Sequence, residues 1–75
     1  MANKYPNFAA EMARYGLNYD DVYATAADST GKTKDSVSNW INGRAGELPI
    51  TAAIAIRNEY FPTLPIEYLF SSTPS

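Results

Sequence analysis

The stretch GKTKDSVSNWINGR, residues 31 to 44, gathers three of the chain's six basic residues with two asparagines, two serines, a threonine and an aspartate. Amides, hydroxyls and cations at this density can hydrogen-bond base edges and neutralise phosphates, which is recognition chemistry. Covalent chemistry has less to work with. The chain has no Cys and no His, which removes disulfides, thiolate nucleophiles, imidazole bases and the usual zinc ligands together. Carboxylates, hydroxyls and amines remain. Asp20 and Asp21 are adjacent, cannot share one helical face, and so make a poor acid–base pair. An enzyme is not expected, and no cofactor or metal is implied.

Charge limits the partner. A net charge of −2 and a pI of about 4.8 argue against a protein that coats nucleic acid nonspecifically, because such binding comes from neutralising many phosphates at once. A small, locally basic surface stays open. Seventy-five residues with 45% hydrophobic content make one domain over residues 1–75, with a single core. No apolar run approaches the about 18 residues that span a bilayer, and the start of the chain lacks a charged-then-apolar signal pattern. No membrane association is expected, and a soluble cytoplasmic protein is.

The elements that must position the candidate residues are helices. Val, Ile and Tyr never alternate with polar residues over a useful length, so an all-α fold is expected. Around Asn7 to Tyr15, Phe8 and Met12 lie four apart with Ala9 and Tyr15 beside them, and Gly16 serves as terminator. Asn18 can cap a second helix with Asp21 at its third position, Val22, Tyr23, Ala26 and Ala27 as apolar pairs, and an end near Thr30 at Gly31. Thr33 caps a third helix, with Ser36 at its third position and Val37, Trp40 and Ile41 as the buried face, and Gly43 stops it. After a polar turn from Arg44 to Leu48, Pro49 fits the first position of a fourth helix. Ile50, Ala53, Ile54, Arg57 and Phe61 mark one flank of it and Ile56 and Tyr60 another. Its circumference is apolar nearly all round, which predicts the central core helix. Pro62 ends it, and Pro65 opens a short last helix through Ile66, Tyr68, Leu69 and Phe70. The ordered region is expected to run from about 5 to 71, and Ser71 to Ser75 as a disordered tail.

The middle two helices have the spacing of a helix-turn-helix. A small residue, Ala27, lets the second helix cross the first closely. Four residues on, Gly31 can take the positive φ of the turn. Six further on, Val37 plugs the second helix into the first, and Trp40 follows one turn later. With these positions in place, AADSTGKTKDSVSNWINGR resembles the helix-turn-helix of Cro and repressor-like domains of temperate phages, the lambda-repressor-like class. NFAAEMARYGL resembles the first helix of the short phage-type regulators from Gram-positive hosts, and AIAIRNEYFPTLPIEYLFS resembles their last two helices. The resemblance covers about residues 7 to 71 and implies a compact bundle of four or five helices. Two departures stand out. The distance from Leu17 to Ala27 is about four residues longer than usual, which is one helical turn, placed at the start of the second helix. Thr30 occupies a position usually filled by a large aliphatic side chain, a gap that Tyr23 or Val22 would have to fill.

Capped at Thr33, the third helix projects Lys34, Asp35, Ser38 and Asn39 away from its apolar face. In the docking mode that the resemblance implies, these side chains meet base edges in the major groove of a double-stranded DNA operator. Asn39 is the leading base reader, since an amide can donate to and accept from adenine. Lys34 reaches a guanine or a phosphate, and Asp35 accepts from a cytosine amine or merely complements the helix end. Lys32, Asn42 and Arg44 hold phosphates. Thr33 and Ser36, at the helix start, complete the candidate DNA-binding set. Val37, Trp40, Ile56, Tyr60, Tyr68, Leu69 and Phe70 are assigned to the core, and Lys32 and Lys34 are otherwise ordinary solvated lysines. One such helix covers few base pairs, so a homodimer on a two-fold operator is expected, formed weakly or completed on DNA. The alternative is an antirepressor or inhibitor with the same fold whose partner is a phage repressor protein. Asp20, Asp21, Asp28, Asp35, Glu47, Glu59 and Glu67 supply the acidic surface for it.

Overall fold

The computed structural model describes residues 3 to 73. Five helices follow in order: α1 (Pro6–Tyr15), α2 (Tyr19–Thr30), α3 (Lys34–Ile41), α4 (Ile50–Tyr60) and α5 (Ile66–Leu69). The described residues contain no strand, so the all-α expectation is met by a small helical bundle. Its boundaries follow from local chemistry. Gly16 closes α1 in the left-handed region at φ 63°, and the Leu17 amide reaches back to the Met12 carbonyl at 3.0 Å. The Asn18 side chain caps α2 by accepting from the Asp20 amide at 2.8 Å, which leaves Asp20 and Asp21 at the positive end of the helix. Helix α2 then runs from Tyr19 to Thr30 without a break. Thr30 returns its hydroxyl to the Ala26 carbonyl at 2.9 Å, while Val22 is buried and Tyr23 packs against the core.

The core is built around Phe8. Its ring lies 5.3 Å from that of Phe70, 6.0 Å from Tyr19 and 6.2 Å from Phe61, joining α1 to the start of α2, the end of α4 and the end of α5. Met12, Val22, Ala26, Val37, Ile41, Ala52, Ile56 and Leu69 complete the buried cluster. Tyr5, just before α1, is buried too, and its hydroxyl accepts from the Leu48 amide at 3.1 Å. The final helix is latched to the first by polar groups. The Asn7 side-chain amide donates to the Tyr68 carbonyl at 2.9 Å, and the Tyr68 hydroxyl donates to the Glu11 carboxylate at 2.7 Å. Glu11 is only 4% exposed, and its other carboxylate oxygen lies 3.4 Å from Arg14 Nε.

Four expectations need adjustment. Pro49 is the residue before α4, with an extended ψ of 143°, and the helix starts at Ile50. The flank of α4 carrying Ile50 and Ile54 faces solvent, the two residues being 66% and 45% exposed; Ala52, Ala53 and Ile56 form the buried face. Tyr60 is half-buried: its hydroxyl donates to the Asp21 carbonyl at 3.2 Å and lies 3.0 Å from the Thr25 hydroxyl, tying α4 to α2. Of the tail expected to be disordered, Ser71 and Thr73 form a turn in which the Thr73 amide donates to Ser71 Oγ at 3.2 Å. Residues 74 and 75 lie outside the described residues.

Replacing Phe8 by Ala removes the ring that joins four elements, at a cost of about 3–5 kcal/mol. A chain of 75 residues has a total stability of about 4–11 kcal/mol, so Phe8→Ala is expected to lose a large share of its stability, read as a lower denaturant midpoint by far-UV circular dichroism. The latch gives a second expectation, from pH. Donation to Glu11 raises the Tyr68 pKa above the ordinary tyrosine value of 10.0, with burial adding to it. The folded chain then keeps a proton that the unfolded chain releases, so the latch contributes fully below pH 10 and is lost as the pH rises beyond it. Tyr68→Phe is expected to melt lower than the parent at neutral pH. The gap between the two melting temperatures should close in alkali.

Candidate nucleic-acid interface

The polar face of α3 is held from both ends and from beneath. At its start Thr33 Oγ1 accepts from the Ser36 amide at 3.2 Å, the capping interaction expected from the sequence. Gly31, at φ 68°, makes the turn from α2, and the Lys32 amide closes it on the Ala27 carbonyl at 3.2 Å. Beneath, Val37 and Ile41 are completely buried, and Trp40 packs against the core from a half-buried position. At its end the Arg44 amide donates to the Asn39 carbonyl at 2.8 Å and the Gly43 amide to the Trp40 carbonyl at 3.2 Å.

All nine sequence-predicted residues lie in or beside this helix. Lys32, Thr33, Lys34, Asp35 and Arg44 are exposed; Ser36, Ser38, Asn39 and Asn42 are half-buried. They fall into two groups with different bonding. Ser38, Asn39, Asn42 and Arg44 form one network at the carboxyl-terminal end. Arg44 Nε donates to Asn39 Oδ1 at 3.1 Å and its Nη2 reaches Ser38 Oγ at 3.5 Å, while Asn42 Nδ2 donates to the Ser38 carbonyl at 2.9 Å and to Ser38 Oγ at 3.2 Å. The amino-terminal end is a cluster of charges. Lys34 Nζ lies 3.2 Å from Asp20 Oδ1 and 3.3 Å from Oδ2, an ion pair between the first turns of α3 and α2. Thr33 and Ser36 are engaged with each other, their hydroxyls 3.3 Å apart, so their first role is the cap.

Beside the network the protein forms an open groove of about 550 Å³ lined by Asn3, Tyr19, Tyr23, Ser38, Asn42 and Arg44. The Tyr19 and Tyr23 rings are 5.8 Å apart, and burial pushes the Tyr19 hydroxyl above the ordinary tyrosine pKa. Asn3, Tyr19, Tyr23 and Asp20 were not among the sequence candidates. The first three carry no motif, and Lys34 and Asp20 are 14 positions apart, beyond any helical spacing; only the packing of α2 on α3 joins them.

The chemistry available here is hydrogen bonding and charge. Lys32, Lys34 and Arg44 against Asp20 and Asp35 leave this face at +1 in a chain of −2. Among the described residues no group of carboxylates could hold a metal ion, and no helix is long and apolar enough to cross a membrane. In comparisons with models of protein families, with curated proteins and with solved structures, the chain matches none of them at a significant level.

Proposed function

We propose that the domain is a sequence-specific DNA-binding regulator of the Cro or repressor-like type, with α2 and α3 as the two helices of a lambda-repressor-like helix-turn-helix. The observation that carries this reading is the division of α3. Its apolar side, Val37 and Ile41, is fully buried, while the opposite side presents Lys34, Asp35, Ser38 and Asn39 between Lys32 and Arg44. A helix so divided can enter the major groove without losing its own packing. Asn39 then addresses an adenine edge, and Arg44, held on Asn39 Oδ1 at 3.1 Å, joins base recognition to backbone contact. Lys32 and Asn42 flank the helix and add phosphate contacts. Few phosphates are engaged, which suits an acidic chain. A homodimer on a two-fold operator doubles the site, the domain acts in the cytoplasm, and no catalysis is assigned to it.

A second reading has its own observation. Acidic residues outnumber basic ones, eight to six, and Asp20, Asp21, Asp28, Asp35, Glu47, Glu59 and Glu67 are all exposed, a surface that fits a basic protein partner, such as a phage repressor that the domain would inhibit.

Binding to a duplex enriched by the protein from a random-sequence pool, measured over a range of salt, tests the first reading. Specific association with a log–log salt slope of a few units is expected. Arg44→Ala should flatten the slope by about one unit and, because Arg44 holds Asn39 Oδ1, weaken binding to the enriched duplex more than to a scrambled one. Asn39→Ala should lose about 1–3 kcal/mol of discrimination at one base pair. If no duplex is enriched and none binds at low salt, the operator reading fails, and binding to repressor proteins becomes the measurement that matters.

A further inference from the structure

We infer that Asp20 is a specificity-determining residue that withholds Lys34 from nonspecific DNA. This rests on the DNA-binding reading above and concerns the same face. Lys34 is the first residue of α3, where the helix dipole is positive and an ammonium group is disfavoured. Asp20 is in the first turn of α2, where a carboxylate is favoured. The packing of the two helices places the Lys34 ammonium 3.2 and 3.3 Å from the two Asp20 oxygens, so the carboxylate holds the cation that its own helix does not. The bond is solvent-exposed, with the lysine side chain about half accessible and the aspartate more so. It is therefore weak enough to be exchanged for a better partner.

The exchange has different consequences for different DNA. Lys32, Lys34, Asp20 and Asp35 together carry no net charge, so the amino-terminal end of α3 offers the phosphate backbone little while the pair is closed. In a nonspecific complex Lys34 can stay on Asp20, and it then displaces no counterion and adds nothing to affinity. At a matching site the guanine O6 and N7 acceptors, or a phosphate fixed in register by Arg44 and Asn42, offer Lys34 a geometry that replaces the carboxylate. Asp20 thus costs affinity everywhere, and most where the sequence is wrong. Its neighbour Asp21 is exposed too, but the charge that touches Lys34 is Asp20.

Four proteins and one control decide the matter: the parent, Asp20→Asn, Lys34→Ala, the double variant, and Glu59→Gln on α4, which makes the same charge change at an exposed position of another helix. Each is titrated over a range of salt with the enriched duplex and with a scrambled duplex of equal length. Asn at position 20 leaves intact the backbone amide that Asn18 caps, and melting curves check that all variants are folded. Asp20→Asn is expected to bind the scrambled duplex about three- to tenfold more tightly. The salt slope for that duplex should steepen by about one unit, and the enriched duplex should gain less, so the specificity ratio falls. In the Lys34→Ala background, Asp20→Asn should do no more than Glu59→Gln does. An equal gain with and without Lys34, or a gain no larger than that of Glu59→Gln, overturns the inference while leaving DNA binding in place. Failure of the parent to prefer any duplex overturns the DNA reading and this inference with it.

Discussion

Eight residues are too few for a helix to sustain itself in water, because the nucleation cost exceeds what so few backbone bonds return. The form of α3 therefore depends on the two side chains beneath it, Val37 and Ile41, both completely buried. Everything that the polar face can do follows from that anchorage. The turn at Gly31 sets where α3 begins, the Thr33 cap satisfies an amide that the helix cannot, and the Lys4 amide ties the far end by donating to the Ile41 carbonyl at 2.8 Å. Lys4 is itself fixed to the loop after α3 by its 2.7 Å ion pair with Glu47. Anchored in this way, α3 can present several polar side chains without contributing stability of its own.

The rest of the bundle serves to make that anchorage rigid. A domain of this size buries too little surface for a redundant core, and it relies on one ring, Phe8, to bring together elements from both ends of the chain. The Glu11–Tyr68 latch adds a polar constraint to the same junction. A carboxylate that is 4% exposed is tolerable only because Tyr68 and Arg14 meet it. The latch fixes the short α5, which at four residues has still less internal stability than α3.

Local chemistry was legible in the sequence and tertiary contact was not. Asn18 and Thr33 as caps, Gly16 and Gly31 as left-handed stops, and Val37 and Ile41 as the inward side of α3 could all be read, because each depends on residues within about one turn of itself. The helix after Pro49 shows where such reading fails. When apolar residues surround a helix, their periodicity no longer gives a direction, so the sequence could not say that Ile50 and Ile54 would face out and Ala52 and Ile56 in. Tyr5 lay outside every periodic segment, and its contacts are remote in sequence: its ring meets that of Phe70 at 5.5 Å and its hydroxyl accepts from the amide of Leu48, 43 residues away. In the candidate site the nine predicted residues came together because they are consecutive or nearly so. Asp20, Tyr19, Tyr23 and Asn3 were missed because they reach that face only through the packing of α2 and the chain start.

The cations at the two ends of α3 are held in opposite ways. At the carboxyl-terminal end, Arg44 is a long side chain that would lose much rotamer freedom on binding, but its bond to Asn39 and its approach to Ser38 have already restricted it. A planar guanidinium held in this way presents its remaining donors in a fixed direction, which favours geometry over mere attraction. At the amino-terminal end, Lys34 is a flexible point charge whose field is largely cancelled by Asp20 at contact distance, and charges farther away than a Debye length of about 8 Å in physiological salt contribute little. One end is ordered before contact and the other is neutralised before contact. Restricting Arg44 lowers the entropy cost of any contact it makes, whereas pairing Lys34 with Asp20 lowers its attraction for polyanions in general, so the two ends of one small basic face differ in what they would offer a partner.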